Sequence, residues 1–246
     1  MFTLINRHGQ SLESAWHPAS APLDDKHVIL LGHGVTANMN RPFLKALAES
    51  LAAAGFHALR FSWSGNGGSG GDFRDSCISR EVEDLRDVID TVTAAGFSVS
   101  YAGHSMGGAV GVLAAASDAR IRRLICLAPM VETARFVEAE FAGVTPDAGL
   151  MWDEPSCPLS GVFVEDLKGI GSTLGKAAGI KQPVLIVHGV EDDLVPVSEV
   201  RALEGAFRTT GGRVALLELP TDHVFSGEQT GAMTAAVAAW LAETPA

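Results

Sequence analysis

Six short apolar runs, several of them closing on glycine, alternate with five helix-length amphipathic stretches. That alternation limits the folds open to this 246-residue chain more than any other feature. The runs cover 27–31, 57–61, 99–102, 123–127, 184–187 and 214–219, and the stretches with helical periodicity cover 42–54, 78–95, 106–116, 198–207 and 231–242. A strand that is apolar on both faces is covered on both faces, and a helix between two such strands supplies the crossover a parallel pair needs. The pattern predicts an α/β fold built on a mostly parallel sheet flanked by helices. Ahead of it, alternating Phe2-Thr3-Leu4-Ile5, a turn at 7–10 and a second run at 11–16 predict a hairpin at one sheet edge.

One interval breaks the rhythm. Residues 130–182 hold prolines, glycines and scattered aromatics but no clear strand, and roughly fifty residues is far longer than an ordinary connection. They predict an insertion with some helix of its own, between the fourth and fifth strands of the parallel series. The chain is therefore read as a single domain over 1–246, with a core of 1–129 and 183–246 and a cap of about 130–182.

Charge and composition remove several function classes. Acidic residues outnumber basic ones 29 to 18, a net charge of −11, which repels a phosphate backbone, so nucleic acid is not an expected partner. The longest apolar runs, such as 109–116, fall well short of the roughly 18 residues of a membrane span. Residues 1–9 lack the basic and apolar regions of a signal peptide, and a cytoplasmic location is the expectation. Cys77, Cys126 and Cys157 are odd in number and unpatterned, as reduced thiols would be. No H-E-x-x-H and no Cys/His cluster is present, so no metal is expected. Two glycine patterns, 32–37 and 65–70, formally fit dinucleotide fingerprints. Neither opens directly onto a helix, and the strand after the first ends in Phe61-Ser62 with no acid for a ribose, so no cofactor is expected.

The chemistry gathers around Gly103-His104-Ser105-Met106-Gly107-Gly108, which follows an apolar strand and precedes a helix rich in Ala, Val and Leu. This is the setting of a nucleophile elbow, in which G-x-S-x-G presents a serine at the end of a strand and the helix start offers free N–H groups. A serine needs a base, and the base needs an acid to hold its tautomer. The strand into His188-Gly189 leads to a loop with Asp192, and the strand at 214–219 leads to Asp222-His223, so Ser105, Asp192 and His223 all fall on loops at one sheet edge. Asp193 and Asp222 compete for the acid role; one is displaced by a residue, and the other adjoins the histidine it would have to reach. An oxyanion hole takes a second donor besides Met106 N–H from the loop after an earlier strand, and Gly32-His33-Gly34-Val35-Thr36 supplies it through Val35 N–H, with Gly34 as the alternative. His33, His104 and His188 read as residues that brace these loops.

With those segments the chain resembles an α/β-hydrolase, and within that superfamily the compact bacterial members related to serine aminopeptidases, monoacylglycerol lipases and cinnamoyl esterases. The resemblance also takes in the Leu59-Arg60-Phe61 strand with its Gly65-Asn66-Gly67-Gly68-Ser69 loop, Leu159-Ser160 through Asp166-Leu167, and Asp192 to Pro196. It implies an eight-stranded, mostly parallel sheet with a small cap after strand six. After Phe61 the chain has Ser62-Trp63-Ser64 where that group usually carries an aspartate and an arginine, and Val35 stands where an aromatic is common.

The expected activity is a serine hydrolase, carboxylesterase-like, that cleaves an ester of a small or medium neutral acyl substrate through Ser105, His223 and Asp192. A thioesterase, an amide or peptide hydrolase and a C–C bond hydrolase would use the same constellation, and a silent hydrolase fold kept as a receptor or scaffold is the alternative outside catalysis. Trp63, Phe136, Phe141, Met151, Trp152 and Phe163 are candidates to line the acyl pocket, or to anchor the cap. The pattern says nothing of oligomeric state.

Overall fold

The computed structural model describes residues 2–209 and 211–245. The chain begins with β1 (Leu4–Ile5), β2 (Ser11–Leu12), β3 (Ser14–His17) and β4 (His27–Gly32), then α1 (Pro42–Ala53), β5 (His57–Phe61), α2 (Ile78–Ala94), β6 (Ser98–His104), α3 (Met106–Ala115) and β7 (Ile121–Leu127). Between β7 and β8 (Val184–Gly189) lie α4 (Thr133–Phe141), a 3₁₀ turn (Met151–Asp153), α5 (Gly161–Ile170) and the short α6 (Leu174–Ala177). The chain closes with α7 (Val197–Arg208), β9 (Val214–Leu219) and α8 (Gln229–Glu243). All six apolar runs are strands, and all five periodic stretches are helices.

The central sheet has seven strands in the order β3-β5-β4-β6-β7-β8-β9, and only β3 runs antiparallel to its neighbour. The eighth strand implied by the resemblance does not join it. β1 and β2 pair with each other alone, two residues apiece. At Glu13 the run read as one strand splits: the Glu13 carbonyl accepts the Ser62 N–H at 2.9 Å, its own N–H goes to Ser69 Oγ at 2.9 Å, and only Ser14–His17 enters the large sheet.

Period-two alternation sorts the strand residues into two layers. Val28 and Leu30 face Leu85, Val88 and Ile89 of α2 and the apolar face of α3, while Ile29 and Leu31 face Phe43, Leu44 and Leu47 of α1 and Met233 and Val237 of α8. Both faces of the inner sheet are thus covered, which is why its strands read as unbroken apolar runs. Because the inner strands are parallel, their C-terminal ends share one edge. Gly32 of β4 lies opposite Gly103 of β6, and Gly189 of β8 opposite Leu219 of β9, so the loops after these strands leave side by side. Cys77, Cys126 and Cys157 are buried and unbridged. Among the described residues no helix is long and apolar enough to cross a membrane.

Candidate active site

Ser105 stands between β6 and α3 with φ 54° and ψ −117°, a left-handed conformation that costs a non-glycine residue about 1–3 kcal/mol and persists only where its surroundings impose it. The surroundings do impose it. Ser105 N–H donates to Leu127 O at 2.9 Å, and Ser105 O accepts the N–H groups of Gly108 at 2.8 Å and Met130 at 3.0 Å. The turn can be this tight because Gly103 and Gly107 lack side chains; a Cβ on Gly107 would lie 2.6 Å from His33 O. Packed over the serine is the loop after β4, where a Cβ on Gly34 would lie 2.9 Å from Ser105 Cβ.

On the neighbouring loops, His223 Nδ1 donates to Asp192 Oδ2 at 2.7 Å. The Asp192 side chain is fully buried, and its Oδ1 accepts the N–H groups of Leu194 and Val195, both at 2.9 Å. Burial pushes this carboxyl up, but the hydrogen bond and charge of His223, the Val195 N–H and the nearby His188 outweigh it, and the group lies below the usual aspartate range. Asp222 is committed elsewhere: Oδ1 accepts the N–H groups of Val224 and Ser226, and Oδ2 the Ser226 hydroxyl, so it shapes the loop that carries His223.

Three further histidines at strand ends each tie down one of these loops. His188 Nε2 donates to Val195 O at 3.0 Å, on the loop of Asp192, and His104 Nε2 donates to His223 O at 2.9 Å. His33 Nδ1 donates to Gly34 O at 2.8 Å, while its Nε2 accepts the Trp63 N–H at 3.1 Å. That last pair has a directional effect. In a trans peptide the C=O and N–H point in opposite directions, so anchoring Gly34 O turns the Val35 N–H away from His33. Among the described residues Val35 N–H donates to no backbone acceptor, and Met106, the first residue of α3, has the free N–H of a helix start.

Burial holds the imidazole of His33 down at about 4 and that of His104 at about 3, and His27, buried beside Arg123, is held at about 4. All three are neutral in the fold, whereas an unfolded histidine takes a proton near 6.5. Between about 6.5 and 4 the unfolded chain binds more protons than the folded one, so stability is complete at neutral pH and is lost as pH falls through that window. We expect the urea unfolding midpoint to drop steadily from pH 7 to pH 4. A midpoint that held constant over that range would show that these rings are not kept neutral.

Gly34, Val35, Thr36, Ala37, Arg41, Phe43, His104, Ser105, Phe136, Trp152, Leu194, His223 and Val224 line a recess of about 120 Å³. Of the six candidate pocket residues, Phe136 and Trp152 line it. Trp152 is 41% exposed and left-handed at φ 49°, ψ 37°, with its Nε1 donating to Glu140 Oε2 at 2.9 Å. Phe141, Met151 and Phe163 pack inside the segment between β7 and β8, with Phe141 and Phe163 ring centroids 6.2 Å apart. Trp63 is fully buried behind the Gly34 loop, where its Nε1 donates to His33 O at 3.0 Å. Its role is to support the loop, because the strand-end position after Phe61 points it into the core. Arg41, Phe43, Leu194 and Val224 reach the recess with no sequence signal beyond their place in its bordering loops and helix starts. Glu13 is a further residue the motifs did not single out: its Oε2 accepts the Ser62 hydroxyl and the Gly68 N–H, both at 2.9 Å, which puts a carboxylate beside the Ser62-Trp63-Ser64 departure. Among the described residues no group of three or more His, Cys, Asp or Glu could hold a metal ion.

The model of the family described as serine aminopeptidase, S33, matches residues 24–148. Among solved structures, Est1E from Butyrivibrio proteoclasticus is 25% identical with a TM-score of 0.82, covering 98% of each chain. The mouse alpha/beta hydrolase domain-containing protein 10 shares the fold at 19% identity and a TM-score of 0.79, covering 99% of each chain. A bovine relative, the mitochondrial palmitoyl-protein thioesterase ABHD10, is 25% identical over 178 residues. That match takes in 66% of this chain and 56% of the bovine protein's length.

Proposed function

The chain belongs to the serine aminopeptidase S33 family of α/β-hydrolases, and from that membership we propose that it is a serine esterase acting on esters of small or medium acyl groups. The observation that carries the proposal is the meeting, in one recess, of a left-handed Ser105 and of His223, whose Nδ1 is held at 2.7 Å by the buried Asp192. Asp192 fixes the tautomer that leaves the His223 Nε2 lone pair free, and this nitrogen takes the Ser105 proton as the serine attacks the ester carbonyl. Val35 N–H and Met106 N–H stabilise the oxyanion, and the protonated His223 then delivers its proton to the departing alcohol. Water activated by the same ring attacks the acyl-enzyme and releases the acid. His33, through Gly34 O, orients the Val35 donor.

Recess volume supports a small acyl group. A dry cavity of about 150 Å³ accommodates benzene, and the recess measures about 120 Å³. The name of the bovine relative favours thioesters as a second reading, since the same residues would cleave one; the long chain in that name, however, exceeds this space. We expect 4-nitrophenyl esters to turn over best with acyl chains of two to about six carbons, and palmitoyl esters and thioesters to be cleaved at least tenfold less efficiently. Turnover of short-chain thioesters with no turnover of the matching esters would overturn the esterase reading, and preference for palmitoyl over butyryl would overturn the small-acyl reading.

A further inference from the structure

Among the described residues one charged side chain other than histidine lines the recess, and it is a cation. Arg41 sits just ahead of α1, exposed, on the wall formed by Thr36, Ala37 and Phe43. Among the described residues the one hydrogen bond of its side chain is a long contact from Nη2 to Thr36 O at 3.5 Å, and the side chain joins no ion pair. A guanidinium presents five N–H donors in a planar fork, so most of its hydrogen-bonding capacity faces solvent at the mouth of the site. Among the described residues no aspartate or glutamate lines the recess, although the chain carries 29 of them against 18 basic residues; Asp192, the acid paired with His223, has a fully buried side chain. The charge is felt inside, where Arg41 helps to hold down both His33 and His104 after the larger effect of their burial.

An exposed arginine at the recess of an otherwise acidic protein is a local positive charge that favours an anionic group on the substrate. We propose that the substrate is an ester that also bears a carboxylate, with its apolar body against Phe136 and Trp152 and its carboxylate on the Arg41 guanidinium. The planar fork matches a carboxylate with two parallel N–H bonds, which a lysine ammonium reproduces only as a point charge. This inference rests on the esterase reading and names the substrate class of the same site.

Two carboxylate esters test it, mono-(4-nitrophenyl) succinate with the charge on the acyl side and 4-(butyryloxy)benzoate with the charge on the alcohol side. Their neutral counterparts are 4-nitrophenyl butyrate and methyl 4-(butyryloxy)benzoate. For each pair the ratio of kcat/KM, charged over neutral, is compared between the wild-type chain and Arg41→Gln, Arg41→Lys and Arg41→Glu, so that the reactivity of the leaving group cancels. We expect the ratio for at least one pair to fall about tenfold in Arg41→Gln, further in Arg41→Glu and less in Arg41→Lys. The wild-type preference should also shrink in 0.5 M salt, since an exposed charge is screened over about 4–5 Å there. The pair that responds tells which side of the ester faces Arg41. Ratios that change less than twofold for both pairs in Arg41→Gln and Arg41→Glu would overturn this inference and leave the esterase reading standing. Failure of the wild-type chain to cleave any of the four esters would overturn both.

Discussion

Replacing Ser105 by alanine is expected to lower kcat for a short-chain aryl ester by about 10⁶-fold, and His223→Ala by a similar factor. The two losses should not add in the double variant, because in the proposed mechanism nucleophile and base act as one unit: once either is gone, what is left is binding and the proposed oxyanion donors Val35 and Met106. Asp192→Asn should cost about 10⁴-fold. The amide can still touch His223 Nδ1, but it offers an N–H as readily as an oxygen, so the proton no longer has to reside on Nδ1. Asp222→Asn and Asp193→Asn separate the three candidate acids. Asp222 accepts the N–H groups of Val224 and Ser226, so its variant should lose a few-fold through loosening of the loop, and Asp193 is exposed, so its variant should behave like the wild type. Steady-state rates under one set of conditions decide this. Residual turnover above about 1% of wild type in Ser105→Ala would rule out the serine as nucleophile, since the loss expected from the acyl-enzyme route is four orders of magnitude larger.

Gly103→Ala is expected to destabilise the fold by about 3 kcal/mol or more, at the upper end of overpacking effects. A Cβ there would lie 2.1 Å from Gly107 O, 2.4 Å from Gly107 C and 2.7 Å from the Tyr101 ring. None of the three can yield. Gly107 O is held by the Tyr101 hydroxyl at 2.9 Å, and β6 is paired on one side with β4 and on the other with β7. Gly231→Ala is the matching control: it lies on α8 with nothing near a new Cβ, and the helix should gain up to about 1 kcal/mol from the exchange. Urea unfolding of both variants measures the contrast. A Gly103→Ala protein that unfolds at the wild-type midpoint would mean that the strand and the helix after Ser105 are not packed backbone to backbone.

The layered fold and the elbow were legible because they depend on short-range facts. Apolar runs and helical periodicity reflect which faces a strand or helix buries, and G-x-S-x-G between a strand and a helix reflects how little room the turn leaves. The boundaries of α1, α2, α3, α7 and α8 fall within two residues of their periodic stretches. The first strands were harder to read. Leu12 and Ser14 belong to one run in the sequence, yet they pair with different partners, because the break at Glu13 is created by Ser62 and Ser69, about fifty residues away along the chain. The segment between β7 and β8 showed only that it was too long for an ordinary connection and held scattered aromatics; which of its aromatics would face the recess and which would fill its own interior depends on how α4 and α5 pack.

The sequence by itself determined the order of chemistry along this chain: a serine on an elbow, an acid and a histidine on later loops, and a glycine loop ahead of them, all delivered to one edge because parallel strands end together. The tertiary structure decided what no local pattern carries. It separated Asp192 from Asp193 and Asp222 by burial and hydrogen bonding, moved Trp63 from the pocket to the support of the Gly34 loop, and brought Arg41 to a recess that no described aspartate, glutamate or lysine lines. The physical reason is one of range. Propensity and periodicity act over a few residues, whereas a hydrogen bond between Asp192 and His223, 31 positions apart, exists only once the sheet has set the loops that carry them side by side.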